Sequence, residues 1–72
     1  MKKEHHFLQG DQVIVADDDR KENIGRYAIF MWDTGNDYLV SKGFLYIVSI
    51  EGQNTVVKNI RHLTLLEIEL NS

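Results

Sequence analysis

At 72 residues the chain has room for one hydrophobic core, so it is read as a single domain. Eleven acids outnumber eight Lys and Arg, the formal net charge is −3, and the cations are scattered. That argues against a phosphate backbone as the main ligand, because charge neutralisation supplies most of the affinity for nucleic acid.

The absence of cysteine excludes disulfides and zinc–thiolate centres and fits a reducing compartment. The charged start, Met1 to His6, leads into no apolar run of signal-peptide length. No stretch is apolar for long enough to span a membrane, so the expected location is the cytoplasm.

Residues 1–6 are polar and are expected to form a disordered tail, with 7–72 making the domain. Phe7 and Leu8 are the first residues worth burying. Gly10-Asp11 is a turn signal, and a strand follows over Gln12–Ala16, with Val13 and Val15 on one face and Ile14 on the other. Asp17 to Asn23 is a charged loop.

Gly25 to Trp32 reads as the second strand, setting Tyr27, Ile29 and Met31 against Ala28, Phe30 and Trp32. Both faces are apolar, which points to a central strand or to one side offered to a partner. Asp33-Thr34-Gly35-Asn36 is read as a hairpin turn, and Asp37 to Val40 as a third strand. Ser41-Lys42-Gly43 is a second turn, Phe44 to Ile50 a fourth strand, and Glu51 to Asn54 a third turn. Thr55 to Lys58 is a fifth short strand, and Asn59 to His62 a single helical turn that Asn59 can cap.

In Leu63 to Leu70, Leu66, Ile68 and Leu70 alternate with Glu67 and Glu69. The alternation favours a closing strand, although Leu and Glu also tolerate a helix. The expected fold is therefore all-β: a small barrel of five or six strands with one short helical turn before the last strand. Closure would protect the edges of so small a sheet.

Gly10 to Ile29 resembles the KOW motif of small SH3-like barrels, found in elongation factors of the NusG type and in some ribosomal proteins. Gly10, Asp11, Val13, Val15, Lys21 and Gly25 fall on the motif, while Asp18 and Glu22 replace two of its glycines. The resemblance covers about a quarter of the chain and implies an SH3-like barrel, with Gly25 supplying an unusual backbone angle or a close approach where the second strand begins. In size and layout the chain is also similar to small phage and prophage proteins. Family members often carry a basic loop where this chain has Asp17, Asp18, Asp19 and Glu22 against Arg20 and Lys21. An acid-rich loop repels phosphate and suits a protein surface bearing Arg or Lys.

Asp17-Asp18-Asp19 does not make an EF-hand: counted from Asp17, the sixth position is Glu22 rather than Gly and the twelfth is Ala28 rather than Glu. His5, His6 and His62 are the only imidazoles, and the adjacent pair sits on the polar terminus without the rigid geometry of a metal site. Neither a phosphate-binding glycine loop nor a nucleophile with a base in sequence context is present, so no cofactor and no enzymatic activity are expected.

The aromatic residues are the functional lead. Trp32, Tyr38 and Tyr46, flanked by Asp33 and Asp37, are candidates for a protein-binding patch, with Asp17, Asp18 and Asp19 as a second candidate surface. The expected function is a non-enzymatic protein–protein interaction module, such as a small phage-encoded adaptor or inhibitor of a larger host protein. One alternative is RNA or single-stranded DNA binding through Arg20, Lys21, Arg26, Lys42, Lys58 and Arg61. Another is a self-assembling subunit that pairs Leu66 to Leu70 as an edge strand in a homodimer.

Overall fold

The computed structural model describes residues 7–70. The tail expected over residues 1–6 lies outside them, as do His5 and His6. Five antiparallel strands form one open sheet in the order β4-β3-β2-β1-β5. They are β1 (Gln12–Asp17), β2 (Tyr27–Asp33), β3 (Tyr46–Ile50), β4 (Gln53–Val57) and β5 (Asn59–His62). A 3-10 turn at Lys21–Asn23 and two short helices, α1 (Asp37–Ser41) and α2 (Leu65–Leu70), join or follow them.

The sheet is open but strongly curled. Val57 ends β4 opposite Tyr46, and Asn59 begins β5 opposite Asp17, so a single residue links the two edge strands. Two residues of chain reach at most about 7 Å. In a flat sheet, β4 and β5 would lie four strand spacings, about 19 Å, apart. The edges therefore meet at this corner, where the Lys58 N–H donates to the Asp17 carbonyl at 3.1 Å.

The concave face holds the core: Val13, Val15, Ala28, Phe30, Val48, Ile50, Val57 and Ile60, with Phe7 and Tyr46 packed against it. The period-2 pattern of the first strand sets Val13 and Val15 on one face, and that face is the core. Gly25 takes φ +87°, and its N–H donates to the Val15 carbonyl at 2.8 Å. That positive φ is the backbone angle expected of a glycine at this junction.

Three expected elements are corrected. Asp37 to Val40 is helical, not a strand, because Asn36 caps it: its Oδ1 accepts the Leu39 N–H at 3.0 Å. At the other end Gly43 has φ +91°, and the N–H groups of Gly43 and Phe44 bond back to Val40 and Leu39 in a Schellman motif. Asn59 to His62 is a strand, not a helical turn, since pairing with β1 satisfies its backbone.

Leu63 to Leu70 supplies a helix, α2, not a closing strand. Thr64 and Glu67 form a reciprocal capping box, with the Glu67 N–H on Thr64 Oγ1 at 3.2 Å and the Thr64 N–H on Glu67 Oε1 at 2.8 Å. The proposed edge-strand pairing of Leu66 to Leu70 therefore has no strand to use. No helix among the described residues is long and apolar enough to cross a membrane.

Candidate functional site

The outer face of the sheet follows from the pairing register, because residues directly opposite one another share a face. Ile14 lies between Tyr27 and Arg61, and Ile29 between Gln12 and Ser49. Trp32 pairs with Ile47, which pairs with Val56 on its other side. Apolar side chains thus cross three strands on the side away from the core.

Strict alternation would have put Trp32 inward with Ala28 and Phe30. A bulge intervenes: Phe30 opposes Val48 but Trp32 opposes Ile47, leaving Met31 as the extra residue. One inserted residue reverses the facing of the strand beyond it. Phe30 is 4 % exposed and Trp32, two residues on, is 47 % exposed.

The other members of the expected aromatic patch separate. Tyr46 packs edge-on against Phe7 and Phe30, with centroids at 5.6 and 6.2 Å, and belongs to the core margin. Burial, and secondarily the neighbouring Asp33 carboxylate, raises its phenol pKa. Tyr38 on α1 is 67 % exposed, and the Lys42 ammonium lies over its ring at 5.4 Å. Trp32 and Tyr38 make no ring contact with one another among the described residues. Asp33 ends β2, Asp37 opens α1, and both are exposed.

The acid-rich loop is largely committed to its own structure. Asp18 is 8 % exposed and accepts the Asn23 side-chain N–H at 2.8 Å, pinning the 3-10 turn. A partner cannot use it as an exposed carboxylate, which removes one candidate contact. Asp19 pairs with Lys58 at 2.9 Å, and this hydrogen bond raises the lysine pKa. Asp17 lies opposite Asn59 and is exposed.

The six cations considered for nucleic acid do not gather. Arg26 pairs with Glu51 at 2.6 Å, Lys58 with Asp19, and Arg61 with Glu67 through two bonds of 2.9 Å. Lys42 covers Tyr38, while Arg20 caps the 3-10 turn, Lys21 opens it, and neither carries an ion pair among the described residues. Each pairing removes charge that phosphate would need. Among the described residues no three His, Asp or Glu side chains converge into a metal-binding group.

Ile47 and Val56 were not singled out in the sequence, because their shared row with Trp32 depends on the bulge. Leu65, Leu66, Ile68 and Leu70 of α2 are exposed; Leu65 was not singled out, and the other three were read as part of a half-buried edge strand. The Thr64-Leu65-Leu66-Glu67 capping box was the available signal for that helix. No protein-family model, no curated protein and no solved structure matches the chain.

Proposed function

We propose that the chain is a non-enzymatic protein-interaction module that engages a larger protein through the outer row Trp32, Ile47 and Val56. The observation that carries this reading is the β2 bulge, which turns a tryptophan out of the core and onto an apolar row. Tryptophan is the residue most enriched at interface hot spots, and bulges recur where a side chain is re-aimed for use. Tyr38, Asp33 and Asp37 lie on the segment just after Trp32, but Asp33 pairs with Tyr46 on the opposite face, so the row itself is the proposed contact.

The fold type we propose is an SH3-like barrel. Its support is a five-stranded sheet curled until its edges meet, together with a positive-φ glycine at the motif position Gly25. The setting we propose is a small cytoplasmic adaptor or inhibitor, in keeping with the likeness to phage proteins.

The test begins with partner capture from a nuclease-treated lysate of the native host, followed by binding of the purified partner. Trp32→Ala should weaken that complex by about 30-fold or more, the scale of a hot-spot truncation. Trp32 fluorescence should shift to the blue on complex formation. Equal affinity for wild type and Trp32→Ala would remove this surface. Loss of the complex on nuclease treatment would transfer the function to RNA or single-stranded DNA.

A further inference from the structure

At one end of the concave face the fold brings together two side chains with metal-ligating atoms to spare. His62 closes β5 opposite Val13, and residues directly opposite share a face. Asp11 lies two residues before Val13, and its carbonyl accepts the Phe30 N–H at 2.8 Å, so it continues the ladder on that same face. Asp11 and His62 are then diagonal neighbours on adjoining strands, about 7–8 Å apart. Both line one recess.

Both are held by contacts that leave those atoms free. The Phe7 ring stacks on the His62 ring, with centroids at 4.6 Å and planes at 30°. Stacking engages the face of an imidazole, whereas its two nitrogens offer their bonds at the ring edge. His62 is exposed, and neither ring nitrogen has a hydrogen bond among the described residues. Asp11 accepts the Leu8 N–H through Oδ2 at 2.9 Å, and its Oδ1 has no hydrogen bond among the described residues.

The same stack determines where the other two imidazoles can go. His5 and His6 directly precede Phe7 in the chain. Consecutive Cα atoms are about 3.8 Å apart, so His6 is one such step, and His5 two, from the residue whose ring lies on His62. Covalent connection alone therefore keeps every histidine of the chain within side-chain reach of Asp11. On its own, an adjacent pair on a polar terminus lacks the rigid geometry of a metal site. His62 and Asp11, both fixed by the sheet, supply the rigid half.

We propose that His62, Asp11 and the His5–His6 pair form a binding site for one divalent late first-row metal ion, with Zn²⁺ the ion that fits them. Imidazole suits zinc, nickel and copper ions, and a chain without cysteine has no thiolate to shift that preference. Three imidazoles and a carboxylate supply the nitrogen and oxygen ligands that a tetrahedral zinc takes. The ion ties the start of the chain to the end of β5. The site is distinct from the Trp32 row, so the two proposals fail independently.

The experiment titrates Zn²⁺ into the full isotope-labelled chain, read by calorimetry and by the imidazole nitrogen shifts. One ion should bind per chain, shift a ring nitrogen of His62, and bind Trp32→Ala equally well. His62→Phe keeps a ring for Phe7 to stack on but removes both nitrogens, and Asp11→Asn keeps an acceptor for the Leu8 N–H but removes the charge. Each should weaken binding by about tenfold or more, as should His5→Gln and His6→Gln together, since even a supporting partner of a metal ligand is worth that much. If His62→Phe does not fold, the His62 nitrogen shift in the wild type gives the same decision. No shift at His62 in millimolar Zn²⁺ would overturn the proposal. Equal affinity for His62→Phe and wild type would also overturn it, assigning the ion to the terminal pair alone. So would two chains per ion, which would make the metal a bridge between copies.

Discussion

The segment Asp17 to Asn23, from the end of β1 into the loop before β2, carries four carboxylates in seven residues, while the outer row of Trp32, Ile47 and Val56 carries none. By charge alone the loop is the natural contact surface and the row is misplaced core. The exposure and pairing of individual side chains run the other way. Asp18 is buried on Asn23 and Asp19 is paired with Lys58, whereas Trp32 stands half-exposed with its apolar neighbours beside it. Availability to a partner is set by what a side chain already touches, and charge density does not report that.

The comparison breaks most visibly within β2, where Phe30 and Trp32 are both large aromatic residues on one strand. Phe30→Ala should cost about 3–5 kcal/mol in urea unfolding, since it empties the centre of the core. In a domain this small that approaches the whole folding free energy. Trp32→Ala should cost only about 1 kcal/mol or less, the worth of one cross-strand pair with Ile47. Equal losses from the two variants would show that Trp32 is core after all.

Within the loop the same contrast separates Asp18 from its neighbour Asp17. Asp18→Ala should destabilise by about 1–3 kcal/mol, because it leaves the Asn23 amide without its charged acceptor in a part-buried site. Asp17→Ser should change stability by about 0.5 kcal/mol or less, as an exposed substitution. Gly25→Ala closes the series. No heavy atom lies within 4 Å of the added Cβ, so its cost is conformational alone, about 1–2 kcal/mol at φ +87°. Chemical denaturation of the three variants orders these effects.

How much of this was legible in the sequence depends on whether the deciding interaction is local. Val13 with Val15, and Ala28 with Phe30, were readable as sharing a face because period-2 alternation holds through most of β1 and β2, but which face is core was not, since both faces of β2 are apolar. Gly25 was readable because a glycine requirement is a property of one residue. The bulge at Met31 was not, since it depends on pairing with β3 and flips Trp32 across the sheet. Asn59 to His62 could cap a helix by composition, but only contact with β1 makes it a strand. The two helices were a different failure. Asn36 with Gly43, and Thr64 with Glu67, are local stop and start signals that outrank alternation over so few residues.

The smallest effect concerns α2, which tests whether exposed apolar residues can be held in place by charge rather than by burial. Leu65 is 81 % exposed, and the helix is tied to β5 through Glu67 and Arg61. The Arg61 guanidinium, with the Thr64 N–H, lowers the Glu67 pKa from its ordinary value near 4.5 to about 2. A carboxylate with a depressed folded pKa contributes stability that is fully present above the ordinary value. That contribution is lost as pH falls through about 2. The α2 amide signals should therefore stay unchanged between about pH 7 and 4.5 and fray progressively below it. Glu67→Gln keeps a side chain that can still cap Thr64 but removes the charge, so its helix should already be frayed at about pH 7 and show no further change across that window. A wild-type helix that melts above about pH 5, or a variant that tracks the wild type, would show that packing rather than this ion pair holds α2 on the sheet.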